Sequence, residues 1–214
     1  MISDPWSERA ALYRTSAVHL DGPDLDLIVE WASGAGNALD VATGGGHVAR
    51  RLREAGLAVV SADPAAGMEP DVVCAAEALP FPDGSFDVVA CRRAAHHFAD
   101  VSRALAEMAR VSRGLVLIQD AIWVSDEVEE AERLRDPSHV AHLSERGWRE
   151  LFDHHGLEVE QARKFEERLD FASWFARTGC EGETAARVRT LLADRSDGQR
   201  WVYPYVVFRA RKRC

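Results

Sequence analysis

The chain has 214 residues, enough for one domain with a substantial core, and its 47% hydrophobic and 29% charged content excludes collagen-like, low-complexity and largely disordered readings. Lys and Arg number 26 against 35 Asp and Glu, so the net charge is −9; such a surface repels phosphate backbones and disfavours a nucleic-acid partner. No run approaches the roughly 18 uninterrupted apolar residues of a membrane span, and Met1 to Pro5 lack the basic start and apolar run of a secretory signal, so a cytoplasmic protein without a membrane partner is expected.

Residues 1–35 carry Trp6, Tyr13, His19 and Trp31 and are expected to form helices that cover a sheet. Short β-rich runs then alternate with helical segments, the pattern of a parallel sheet with helices on its faces. Strands are expected at 38–42, 58–62, 71–74, 86–90, 114–118, 157–160 and 201–209, and helices at 47–55, 101–111 and 147–155. The acidic run from Asp126 to Glu132, giving way to Arg133 and Arg135, reads as a solvated helix face, and Arg209, Arg211, Lys212 and Arg213 as a solvated strand end. Phe171, Trp123, Trp148 and Trp174 read most simply as core aromatics. Cys74, Cys91, Cys180 and Cys214 form no C-x-x-C pair and have no His at ligand spacing, which argues against a zinc site and against a disulfide framework; no metal is expected.

The most informative segment is Asp40-Val41-Ala42-Thr43-Gly44-Gly45-Gly46-His47, between the first strand and the first helix of the sheet. Successive glycines permit close backbone approach, and the helix start presents free N–H groups to a ligand. Gly44-x-Gly46-x-x-Ala49 also satisfies the dinucleotide pattern, so the loop alone is ambiguous. Asp40 argues against a diphosphate, which would meet a like charge, and for the sulfonium and ammonium of S-adenosylmethionine. Asp63, at the end of the second strand, stands where a carboxylate accepts ribose hydroxyls, which suits either cofactor. For both residues the alternative is a capping carboxylate.

The chain resembles the class I S-adenosylmethionine-dependent methyltransferases, and is similar to their ubiquinone/menaquinone-biosynthesis type. The matching residues run from Leu39 to Ala49, from Val59 to Asp63, and through Glu77-Ala78-Leu79-Pro80-Phe81-Pro82-Asp83-Gly84-Ser85-Phe86-Asp87-Val88-Val89; His96-His97-Phe98, 104–111, Arg135 to Val140 and Trp148 continue the likeness. The resemblance implies a Rossmann-like, doubly wound, mostly parallel seven-stranded sheet in a single domain, 1–214. Within it, 1–35 is a helical cover, 36–120 a cofactor-binding half and 121–214 a substrate-side half. It implies S-adenosylmethionine as donor, held by Asp40, Ala42, Gly44, Gly46, Asp63, Pro64, Ala75, Ala76 and Glu77. The acceptor is expected to be a small, planar or aromatic molecule.

The chain departs from the family in three places. Ala42 replaces a glycine. Only 64–70 join the second and third strands, too few for a crossover helix, which must be missing or reduced to a turn. Ala75 stands where the family places an acid that reads the adenine amino group. His96 and His97 follow the fourth strand at its ligand-binding end and are the candidate bases, with Tyr13, His19, Arg92 and His139 as candidate acceptor contacts. Two other readings stay open: a member that has left methylation and binds a metabolite or partner chain, and a nicotinamide oxidoreductase, which Asp40 disfavours. A homodimer is the quaternary expectation.

Overall fold

The computed structural model describes residues 5–213; Met1 to Asp4 and Cys214 lie outside the described residues. The seven strands are β1 (Asn37–Val41), β2 (Ala58–Asp63), β3 (Val72–Val73), β4 (Phe86–Arg92), β5 (Ser112–Ala121), β6 (Leu157–Asp170) and β7 (Arg200–Lys212), in the sheet order β3-β2-β1-β4-β5-β7-β6. The first five pair in parallel, Leu39 opposite Val60 on one side and Val89 on the other, and β7 is antiparallel to both β5 and β6. Strand order reverses between β1 and β4, and in such sheets the crevice at the carboxyl ends of the two strands is where ligands bind.

Both faces of the central strands are buried, as a parallel sheet with helices on each side requires. Leu39, Val41, Val89, Val116 and Ile118 face α5 (Val101–Val111) and α7 (Glu145–His154), where Leu105, Met108, Trp148 and Phe152 complete one core. The alternate residues Ala38, Val88, Leu115 and Leu117 face α3 (Pro23–Trp31) and α4 (His47–Glu54), meeting Leu25, Ile28, Val48 and Leu52. A third cluster gathers Leu169, Trp201 and Tyr203 of the antiparallel β6–β7 pair with the two helices that connect these strands, α8 (Phe171–Ala176) and α9 (Gly182–Leu191).

The 64–70 connection is a single 3₁₀ turn, Ala66–Met68, and α1 (Pro5–Arg14) supplies the cover the crossover lacks. Ala10 packs with Ala65 and Met68, and the Gly67 N–H donates to Ser7 Oγ at 2.8 Å. A Cβ on Gly67 would stand 2.5 Å from Ser7 Cβ, so this approach needs glycine. A short helix, α2 (Ala17–Leu20), follows α1.

Three expectations change. β6 runs to Asp170, far beyond 160; its charged, mostly exposed sequence shows no apolar period, and backbone pairing with β7 holds it. The charge run is α6 (Asp126–Arg135), but Glu129, Glu132 and Arg135 are buried, because their partners lie inside the fold and on the same helix. Among the strand-end cations, Arg209 and Arg211 both pair with Glu160. Cys74, Cys91 and Cys180 are free thiols. No helix among the described residues is long and apolar enough to cross a membrane.

Candidate active site

The loop after β1 turns on backbone bonds to buried carboxylates. Asp40 Oδ2 accepts from Thr43 Oγ1 at 2.6 Å and from the Ala49 N–H at 3.0 Å, tying the strand end to α4. Asp63 Oδ2 accepts the Gly44 N–H at 2.9 Å and its Oδ1 the Ala65 N–H at 2.9 Å, which joins the first loop to the shortened connection. Gly46 caps α4 at φ +77, a left-handed conformation that favours glycine, whereas Ala42 adopts φ +53 with a side chain. Burial foremost, with Asp63 nearby, pushes the Asp40 carboxyl up to about 6 against the pull of its two hydrogen bonds.

Beside this loop lies a cavity of about 330 Å³, within the range of small-molecule sites. Asp40, Ala42, Gly44, Asp63, Pro64, Ala75, Ala76 and Glu77 line one part, and Tyr13, His19, Arg92, His96 and His97 another. Gly46 and His139 are not in the lining; Gly46 shapes the loop from the helix end, and His139 sits among buried residues after α6. The donor suits this cavity on a structural ground: Asp40 is a buried carboxylate hydrogen-bonded only to uncharged groups, and a cationic amino-acid end would favour its ionised form.

Arg92 is committed elsewhere. Its Nε and Nη2 donate to the buried Asp24 at 2.7 and 3.1 Å and its Nη1 to the His19 carbonyl at 2.9 Å, so it clamps the N-terminal cover onto β4. His96 is held at two points by Asp120, whose Oδ1 accepts from Nδ1 at 2.6 Å and whose Oδ2 accepts the backbone N–H at 2.8 Å. Burial lowers the pKa of His96, but the charge and hydrogen bond of Asp120, with the charge of Glu132, together outweigh it and the net direction is up. His97 stands 4.1 Å from the His96 ring centre and edge-on to Trp6 at 4.6 Å, and its Nδ1 donates to the Ser138 carbonyl at 3.1 Å, leaving Nε2 as its acceptor. Burial, then the neighbouring His96, holds His97 well below the usual range and therefore neutral at pH 7.

Local sequence patterns do not point to the far wall: Glu132, Arg135, Leu169, Trp174, Arg177 and Tyr203 also line the cavity. Arg92, Arg93 and Arg135 are paired with Asp24, Glu167 and Glu132 respectively, whereas among the described residues Arg177 hydrogen-bonds only to Ser16 Oγ, at 3.5 Å. Burial and the adjacent Arg135 lower the Arg177 pKa. Asp120 has a legible signal, an acid at the carboxyl end of the strand next to β4. His96, His139 and His142, which show no ligand spacing in the sequence, each bring one ring nitrogen within 4.8 Å of the other two.

Residues 39–118 match the methyltransferase domain family. The uncharacterized methyltransferase YcgJ of Bacillus subtilis is 33% identical over 220 residues, covering 92% of this chain and 87% of that protein. Its crystal structure superposes with a TM-score of 0.79 at 28% identity, over 89% of this chain and 98% of that one. The uncharacterized protein YafE of Escherichia coli is 32% identical over 141 residues, 58% of this chain and 68% of that protein. The glycine turn tied to Asp63, the carboxylate of Asp40 and these relatives lead to one conclusion: the chain belongs to the class I S-adenosylmethionine-dependent methyltransferases.

Proposed function

We propose that the chain methylates a small planar or aromatic acceptor that carries an acidic group, using S-adenosylmethionine as donor. Arg177 carries this reading: it is the one arginine lining the cavity that has no carboxylate partner among the described residues, and it is half-buried near Tyr13 and Tyr203. A half-buried guanidinium without a counter-ion carries an unbalanced charge, which a carboxylate or phosphate on the acceptor would offset with paired hydrogen bonds. The flat faces of Trp6 and Tyr13 suit a planar ring.

In this reading the 36–120 half holds the donor, and 1–35 with 121–214 hold the acceptor. Asp40 meets the cationic end, Asp63 accepts from ribose hydroxyls, and Ala42, Gly44, Pro64, Ala75, Ala76 and Glu77 form the remaining wall, with Gly46 shaping the loop. The bound donor supplies a methyl group already activated by its sulfonium, so the protein chiefly aligns the partners and excludes water. α1 to α3, pinned by the Arg92–Asp24 pair, close the cavity on the solvent side. His97 Nε2 takes the acceptor proton, worth roughly 10²–10⁴-fold for a hydroxyl acceptor, and His96, fixed by Asp120, positions the His97 ring.

The test is S-adenosylhomocysteine release from a panel of hydroxyaromatic acids, each beside its methyl ester. Acids are expected to react preferentially, and Arg177→Met to raise KM for acids while leaving ester turnover unchanged. Equal turnover of acid and ester would overturn the assignment of Arg177. Calorimetric silence toward both S-adenosylmethionine and S-adenosylhomocysteine would instead favour a member that has left methylation.

A further inference from the structure

Three buried histidines behind the cavity wall have one nitrogen each tied to a carboxylate. His96 Nδ1 donates to Asp120 at 2.6 Å, His139 Nε2 to Glu129 Oε2 at 3.1 Å and His142 Nδ1 to Glu129 Oε1 at 2.6 Å. A carboxylate oxygen accepts, so in each of these contacts the imidazole is the donor. A neutral ring that spends its N–H in this way has its lone pair on the other nitrogen. His139 Nδ1 and His142 Nε2 are buried with no hydrogen-bond partner, and the side chains of His96, His139 and His142 are 9%, 0% and 2% exposed.

One nitrogen from each of the three rings lies within 4.8 Å of the other two. The ring centres of His96 and His139, His96 and His142, and His139 and His142 are 5.6, 5.2 and 4.5 Å apart. Three imidazoles on one tetrahedral ion, with metal–nitrogen bonds near 2.0 Å, set their ring centres about 5 Å apart. The buried, unpartnered His139 Nδ1 and His142 Nε2 are unsatisfied polar atoms, which costs free energy that a bound cation would remove. Imidazole ligands whose second nitrogen donates to a carboxylate are the arrangement that orients rings on a metal and strengthens them as donors. A divalent ion would also balance the two anions Asp120 and Glu129; the nearest surface cation, Arg133, is 3.6 Å from Glu129.

We propose that His96, His139 and His142 bind one divalent transition-metal ion of the nitrogen-preferring class, with zinc as the reference ion, and that Asp120 and Glu129 orient the three rings. Three protein ligands leave a fourth position for water or another small ligand. His96 also lines the cavity, so the ion stands in the wall on the acceptor side.

The test uses chelator-treated full-length protein titrated with Co²⁺ and then Zn²⁺. One equivalent of Co²⁺ per chain is expected to give the visible absorption of a tetrahedral ion, bleached by Zn²⁺, with a rise in Tm. His139→Gln and His142→Gln should abolish the band, and Glu129→Gln should weaken binding roughly 10–100-fold. The pair His154→Gln/His155→Gln, on the exposed end of α7, should leave it unchanged. S-adenosylmethionine titration of the same variants reports folding and tests the donor site independently. Where a ligand variant fails to fold, X-ray absorption of the wild-type Co²⁺ protein decides, a nitrogen/oxygen shell with imidazole scattering and no sulfur supporting the site and a shell without imidazole overturning it. No band at one equivalent, or a band that survives His142→Gln, would overturn the proposal.

Discussion

The end of the cavity proposed for the donor and the end proposed for the acceptor are built by different means. The donor end consists of two contiguous strand-to-loop turns, where Asp40 and Asp63 are hydrogen-bonded to backbone or hydroxyl groups a few residues away or across one strand pair. The end assigned to the acceptor draws Tyr13, His19, His97, Arg135, Trp174 with Arg177, and Tyr203 from six separate places in the chain. Its polar groups are satisfied over long separations, as in Arg92 with Asp24 and Arg93 with Glu167. A local construction tolerates few substitutions because every member sets the same turn; a dispersed one can change its specificity residue by residue while the sheet stays intact.

The largest effect should come from Asp63→Ala, which removes the anchor of both the Gly44 and Ala65 N–H groups; a loss of about 3 kcal/mol, or more than a hundredfold in S-adenosylmethionine affinity by calorimetry, is expected. Unchanged affinity would mean that the donor end is not organised by this carboxylate. Ala75→Asp puts an acid at the lining position that the proposed donor site gives to the adenine and should tighten the donor by about 1.5–3 kcal/mol, with no effect on acceptor KM. A shift in acceptor KM instead would show that the two ends are not separate.

A pH series sharpens the same contrast. The Asp40 pKa of about 6 lies above its unfolded value, so in the donor-free protein this group contributes most stability below pH 3.8 and loses it as pH rises through about 6, about 3 kcal/mol in all. A cation beside it reverses the preference; Asp63, which raises the pKa, and Arg92, which lowers it, are present in both states. Donor binding should therefore release a proton and be roughly tenfold weaker at about pH 5 than at about pH 7.5, seen as buffer-dependent binding enthalpies. The smallest effect is Ala42→Gly. Relief of the left-handed alanine should add about 0.5 kcal/mol, or about 1 °C in Tm by calorimetric scanning.

The alternation of Leu39, Asp40 and Val41, the glycines after them and the brevity of 64–70 are local patterns, so the sheet, its reversal point and the donor carboxylates are legible in the residues themselves. The 3₁₀ turn at Ala66–Met68 is as short as expected, but that α1 seats on it depends on Ser7 meeting Gly67, a contact across 60 residues. Strand β6 is visible only in its first residues, because pairing with β7 and not an apolar period holds the rest. Sequence by itself determined what each short segment does with its own backbone: strand, turn, cap and the carboxylates within a turn's reach. Tertiary structure alone decided that Arg177 stands without a carboxylate partner among the described residues and that His96, His139 and His142 converge, since neither isolation nor convergence is a property of neighbouring residues; both arise when distant elements close.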